Sequence, residues 1–156
     1  TADGASVLFT DIAADAGRAL AGQPGGKVRF LTADATCEAD AQRSVVAALA
    51  AFGRLDIAVN NVGNFGAGDV LGVGLEDTKL EAWDNTLRQC LTSCMLGMKH
   101  ALPPMLAAGS GAIVNVASLA GIRVTRYASY AYHAAKAGVV PLSEASAVFM
   151  RRAGSV

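Results

Sequence analysis

Short runs rich in β-branched and aromatic residues alternate along the chain with longer alanine-rich stretches of helical period. "SVLFT" (6–10), "KVRFLT" (27–32), "DIAVN" (56–60) and "AIVNVA" (112–117) read as strands. The spacing predicts helices over about 12–22, 38–52, 80–101 and 129–152. In "ADAQRSVVAALAAFG" the residues Val45, Val46, Leu49 and Phe52 recur at helical steps and lay one stripe against a sheet, with Gly53 as the stop. Strand and helix alternating in this way build βαβ units around a parallel sheet. Pro141 falls inside the last helix, where it removes a backbone hydrogen bond or introduces a kink.

In open α/β sheets ligands bind beyond the carboxyl ends of the strands. At those ends stand Asp11, Asp34, Asn60 with Asn61 and Gly63, and Ser118. Each alone has an ordinary role as helix cap or turn former; together on one edge they point to a ligand groove. Asp11 is either the cap of the helix that follows or a carboxylate accepting both hydroxyls of an adenosine ribose. The second role repels a 2′-phosphate and favours NAD over NADP. Arg18, one or two turns along, is the cation that would oppose this preference.

The segment "YAYHAAKAGVV" (130–140), with Tyr127 just before it, offers three tyrosines as candidate acids. Residues four apart on a helix share a face, and of the three only Tyr132 has a lysine there, Lys136. An ammonium beside a phenol favours the phenolate, so Tyr132 is the candidate proton donor. His133, adjacent in sequence, lies about 100° round the helix and belongs to the surface or an interface. Ser118, at a strand end, is placed to donate to a substrate oxygen.

Composition narrows the class. The chain has 156 residues, 53% of them hydrophobic and 17% charged, enough for one domain with a buried core. The formal net charge is zero with no run of like charge, which argues against nucleic acid or an anionic membrane as partner. Apolar runs such as "VVAALAAF" fall far short of the roughly 18 residues of a transmembrane helix. No secretory signal is visible, and the expected location is the cytoplasm. Cys37, Cys90 and Cys94 read as reduced, buried thiols; Cys90 and Cys94 are one turn apart but lack companions for a tetrahedral metal set.

The segments "LFTDI", "ADAT", "LDIAVNNVG", "IVNVASLAG" and "YHAAK" resemble, in order and spacing, the successive motifs of the short-chain dehydrogenase/reductases over nearly the whole chain. The resemblance implies an α/β fold of Rossmann type: a doubly wound parallel sheet in three α/β/α layers, in a single partial domain over 1–156 that is incomplete at both ends. It implies an NAD(P)-dependent oxidoreductase that moves a hydride between the cofactor and a secondary alcohol or ketone. By the same resemblance Asp11 and its neighbour Ile12 hold the adenosine ribose, Asp34 and Ala35 contact the adenine, and Asn60, Asn61 and Gly63 support the sheet and the cofactor. Ser118 orients the substrate oxygen, Tyr132 is the acid/base, and Lys136 binds the nicotinamide ribose and assists the tyrosine. A homodimer or homotetramer built on the helices at about 80–101 and 129–152 is implied as well.

Three departures stand against the family pattern. Cys90 occupies the place of an asparagine in the family's proton relay, and a thiol is a weak hydrogen-bond partner. The interval from Ser118 to Tyr132 is one residue longer than usual. No glycine-rich pyrophosphate loop of the GxxxGxG form is read in the chain, and the match begins at what would be the family's second strand. In the family's strand order the missing strand would lie between "SVLFT" and "DIAVN", so either these two close up or a slot remains between them. The 156-residue chain alone is therefore expected to be poorly stable and inactive. The competing reading is a non-catalytic remnant kept for nucleotide sensing or association. A hydrolase is disfavoured because no GxSxG elbow is present. Substrate-pocket walls are expected from the glycine-rich stretch after Gly63 and from "LAGIRVTRYASYA".

Overall fold

The structure, a computed structural model, describes residues 4–22, 27–64, 73–124 and 129–152. Tyr127 and most of the glycine-rich stretch, residues 65–72, lie outside the described residues. The elements in chain order are β1 (Val7–Asp11), α1 (Ala14–Ala21), β2 (Val28–Thr32), α2 (Glu38–Phe52), β3 (Ile57–Asn60), α3 (Leu80–Leu87), α4 (Ser93–Ala108), β4 (Ala112–Asn115) and α5 (Tyr130–Arg152). A π turn over Arg88–Thr92 joins α3 to α4. Short 3-10 turns occupy Leu75–Asp77 and Leu119–Gly121.

Strand pairing is parallel throughout, and it is divided. β1 pairs with β2 from Val7 opposite Val28 to Asp11 opposite Thr32. β3 pairs with β4 from Ile57 opposite Ala112 to Asn60 opposite Asn115. Among the described residues the two pairs form separate two-stranded sheets. Among the described residues β1 and β3 are not paired with each other.

Each pair has helices placed by the alternation of its side chains. Phe9 and Phe30 are register partners with ring centroids 5.1 Å apart, and α1 lies on their face. Gly17 of α1 makes that approach possible, since any Cβ there would overlap the Phe30 ring. On the opposite face the Arg29 guanidinium sits 6.0 Å over the Phe52 ring of α2. Helices therefore cover both faces of this pair, as a doubly wound sheet requires. On the β3–β4 pair, Asn60 and Asn115 turn toward α4 and α5, while Ile57, Val59 and Val114 on the other face are 62%, 60% and 49% exposed.

α5 packs mainly on α3, on the π turn and on the Leu119–Gly121 turn, while α4 backs β3 and β4. Ala131, Ala135 and Val139, at successive helical turns, are buried with Leu96, Met98, Ala101 and Met105. Gly138 lets α5 come close to the π turn: a Cβ there would stand 3.0 Å from a methyl of Leu91. α2 packs on α4, and a surface ion pair of 2.5 Å links Lys99 of α4 to Glu38 at the start of α2. The Lys99 hydrogen bond and charge hold the Glu38 carboxyl below its ordinary value. Among the described residues no helix is long and apolar enough to cross a membrane.

Several expectations change in detail. The helix expected at 80–101 continues to Ala108, through Pro103 and Pro104, and contains the π turn. α5 runs on through Pro141 to Arg152. On α2, Val46 is 57% exposed and Ala48 is buried in its place, because the stripe is set by the helix's rotation rather than by its most hydrophobic residues. Gly53 does stop α2, in the left-handed region at φ 74° with its N–H donating to Leu49. Cys37 is exposed, and only Cys90 and Cys94 are buried.

Gly97 on α4 gives a test of this packing. A Cβ there would overlap the Asn60 side chain, which is already bonded to Asn115. Glycine to alanine inside a helix ordinarily stabilises by up to about 1 kcal/mol. Gly97→Ala is expected to have the reverse sign, a loss of roughly 1–3 kcal/mol from overpacking, measured by urea denaturation; a gain in stability would contradict the packing.

Candidate active site

Because all four strands are parallel within their pairs, their carboxyl ends supply the candidate residues the sequence points to. Asp11 closes β1 and is exposed; its Oδ1 accepts the N–H of Ala13 at 2.8 Å, a local turn that launches α1 at Ala14. The cap position of α1 itself, Ala13, carries no side-chain bond, so Asp11 shapes the entry to the helix without capping its first turn. Ile12 beside it is 73% exposed. Arg18 is engaged by Asp15 at 2.7 Å.

Asp34, after β2, is drawn into the approach to α2. Its Oδ1 accepts both the N–H and the hydroxyl of Thr36 at 2.8 Å, and its own N–H donates to Asp40 at 2.8 Å. The Arg43 side chain, followed by this Asp34 N–H, holds the Asp40 carboxyl below its ordinary value. Ala35 is half-buried within the same turn.

Asn60 and its neighbours divide into two roles. The Asn60 side chain turns inward: its Nδ2 donates to Asn115 Oδ1 at 2.7 Å, and Asn115 Nδ2 donates to Ser143 Oγ at 2.9 Å. Ser143 in turn donates to the Val139 carbonyl at 2.7 Å. This chain joins β3 and β4 to α5 behind the strand ends. Asn61, Val62, Gly63 and Asn64 are exposed beyond β3.

Lys136 is the centre of the arrangement. It is 2% exposed, its Nζ donates to the Val116 carbonyl at 2.7 Å, and it lies 5.8 Å from the Tyr132 ring centroid. A buried ammonium demands partners, and the end of β4 and the Tyr132 ring supply them. Gly63 faces the same nitrogen: a Cβ there would stand 2.8 Å from Nζ and 3.6 Å from the Cys90 sulfur. Tyr132 is half-buried between the fully buried Ala131 and Ala135 turns of α5. His133 turns back to the Ser129 carbonyl, 2.7 Å from Nδ1, and so serves its own helix start.

Ser118 follows β4 and starts the turn Leu119–Gly121, where its Oγ accepts the Ala120 N–H at 3.2 Å. An accepting hydroxyl keeps its proton to donate elsewhere. That turn is pressed on α5, because a Cβ on Gly121 would stand 2.5 Å from the Lys136 carbonyl oxygen. The backbone contact fixes where the Ser118 turn sits relative to the Tyr132–Lys136 helix.

Sequence reading missed the Val116 carbonyl, the Asn115–Ser143 bond, the π turn and the Gly121 contact. Ser143 carries a signal, since it lies seven residues after Lys136 and hence on the same helical face. A GxxxGxG spacing does occur in the chain, contrary to expectation, at Gly68, Gly72 and Gly74. They follow β3, however, and Gly74 leads into the 3-10 turn Leu75–Asp77 rather than the start of a long helix; Gly68 and Gly72 lie outside the described residues.

A family model described as enoyl-(acyl carrier protein) reductase matches residues 1–155. The chain belongs to the short-chain dehydrogenase/reductase family. Among members of this family it is 34% identical over 154 residues to a 3-alpha-(or 20-beta)-hydroxysteroid dehydrogenase of Mycobacterium tuberculosis, covering 98% of this chain and 56% of that one. It is 38% identical over 156 residues to a trans-4-hydroxycyclohexanecarboxylate dehydrogenase of Sinomonas cyclohexanicum, covering 94% of this chain and 58% of the relative. The crystal structure of levodione reductase superposes with a TM-score of 0.86 at 34% identity, over 98% of this chain and 59% of that one. A short-chain dehydrogenase/reductase structure from Burkholderia xenovorans gives 0.83 at 38% identity, over 96% of this chain and 56% of the other. The Rossmann-type fold of the family is thus the fold of this chain, which spans little more than half the length of these relatives.

Behind the site, Cys94 is buried, and burial raises its thiol pKa above the ordinary value against the opposing charge of Lys136. A thiol kept protonated is a poor nucleophile. Brief treatment with iodoacetamide at pH 8 is expected to modify Cys37 and to spare Cys90 and Cys94 until denaturant is added, as read by mass spectrometry; native modification of Cys94 would show this layer to be open.

Proposed function

We propose that this chain is part of an oxidoreductase that moves a hydride between NAD and a secondary alcohol or ketone, with Tyr132 handling the proton at the substrate oxygen. The observation that carries the reading is Lys136, a buried ammonium held by the Val116 carbonyl and lying over the Tyr132 ring. Two residues on from Val116, Ser118 offers a hydroxyl that orients the substrate oxygen. The described residues fit the nucleotide at several points: Asp11 with Ile12 exposed beyond β1 for the adenosine ribose, the turn of Asp34 and Ala35 for the adenine, Asn61 and Gly63 exposed beyond β3, and Lys136 for the nicotinamide ribose. Asn60 supports that surface from behind, through Asn115. The nicotinamide, when bound, supplies the hydride chemistry.

A second reading, a non-catalytic remnant that senses nucleotide or mediates association, is raised by Cys90, a thiol where the family pattern has an asparagine. NADH fluorescence titration separates the two: binding without turnover of any alcohol or ketone supports the sensor. The reading also takes the chain to be one partial domain of a cytoplasmic protein that self-associates. The exposed Met95 on α4 and Val148 and Phe149 on α5 offer the apolar surface for such a contact.

In the protein expressed with the sequence that flanks it in its gene, Tyr132→Phe is expected to abolish turnover and leave NADH binding largely intact, because the ring stays and the transferable proton goes. Activity within threefold of the parent would remove Tyr132 from the mechanism. Lys136→Ala is expected to weaken both NADH binding and turnover.

Asp11 generates the cofactor preference. A 2′-phosphate would meet this carboxylate, and Arg18 is engaged by Asp15. NAD is expected to be used at least about tenfold more efficiently than NADP, equivalent to about 1.4 kcal/mol. Comparable kcat/KM with the two cofactors would reduce Asp11 to a turn former.

A further inference from the structure

We infer that Cys90 is a positioning residue whose thiol pins the loop after β3 against the helix and thereby keeps Lys136 enclosed. The Cys90 side chain is fully buried, and its Sγ donates to the carbonyl of Asn64 at 3.3 Å. Asn64 follows Gly63, and Gly63 is the narrow point of the site: a Cβ there would stand 2.8 Å from Lys136 Nζ and 3.6 Å from Cys90 Sγ. The thiol and the buried ammonium thus both face the loop backbone at Gly63.

The helix is shaped to deliver this bond. Cys90 is the middle residue of the π turn Arg88–Thr92, which interrupts an otherwise α-helical run from Leu80 to Ala108. One additional residue in a turn re-aims the side chains within it, and such turns concentrate at functional sites. A thiol is a weak donor, yet a loop carbonyl asks for a single donor, and one that is buried and unreactive holds it without side reactions. The cysteine therefore does a definite job here, rather than marking a degraded relay. The cofactor half of the inference rests on the nicotinamide reading above; the enclosure of Lys136 does not.

The test compares Cys90→Ser, which keeps a donor, with Cys90→Val, which keeps approximate volume and loses it, in the protein carrying its flanking sequence. Cys90→Ala replaces the valine variant if the latter does not fold. A pulse of acetic anhydride, read by mass spectrometry, reports the enclosure of Lys136 against exposed Lys99 as internal standard. Relative acetylation of Lys136 is expected to rise about tenfold in Cys90→Val and to stay within threefold of the parent in Cys90→Ser. The NADH dissociation constant is expected to follow the same pattern, about tenfold weaker and then restored. Unchanged Lys136 protection in Cys90→Val and Cys90→Ala, or equal loss in Cys90→Ser, would overturn the inference. If the parent binds no NADH, the nicotinamide reading fails and the acetylation contrast still decides the role of Cys90.

Discussion

The contact on which the site depends is the hydrogen bond from Lys136 Nζ to the Val116 carbonyl. A charged amine at 2% exposure is costly to bury, and the cost is met by a backbone oxygen at a strand end and by an aromatic face one helical turn away. Because Val116 follows β4 and Lys136 is borne by α5, this single bond sets the helix against the strand at the level where Ser118 leaves the sheet. Gly121 and Gly63 then act as clearances, one for the Lys136 backbone and one for its side chain. Neither tolerates a methyl group without displacing what it faces.

The wall behind this contact is polar, in a region otherwise lined by methyl groups and sulfur. Asn60, Asn115 and Ser143 link two strands to α5, and Asn115 Nδ2 also lies 3.2 Å from the Met98 sulfur. Buried polar groups of this kind are tolerated when they satisfy one another. Their geometry also restricts sliding: α5 cannot slip along β4 without breaking the Asn115–Ser143 bond. The apolar packing of Ala131, Ala135 and Val139 supplies adhesion, and the amide chain supplies register.

How much of this was legible in the sequence follows from how local each feature is. Tyr132 and Lys136 could be paired from four-residue spacing alone, and Ser118 from its place after a strand, since each depends on the geometry of one element. The parallel strands were legible from the alternation of strand and helix, whereas whether β1 would pair with β3 was left open. The Asn115–Ser143 bond spans 28 residues: helical period puts Ser143 on the face of Lys136, but nothing local names Asn115 as its partner. The π turn at Cys90 is likewise silent, because an inserted residue leaves the helical composition unchanged. On α2 hydropathy chose Val46 where rotation chose Ala48, a contest between two apolar residues that only packing against neighbours settles.

The hydrogen bonds of the rear wall also have a direction. Val139 offers a carbonyl, which can only accept, so the Ser143 hydroxyl spends its proton there. Ser143 is then an acceptor toward Asn115, which must present its amino group, and this leaves the Asn115 oxygen for the amino group of Asn60. One backbone carbonyl on α5 thus dictates the orientation of two amides across two strands. An aspartate at either position has nearly the same shape and no proton to pass on, so this wall selects for the amide by polarity where volume alone would accept both.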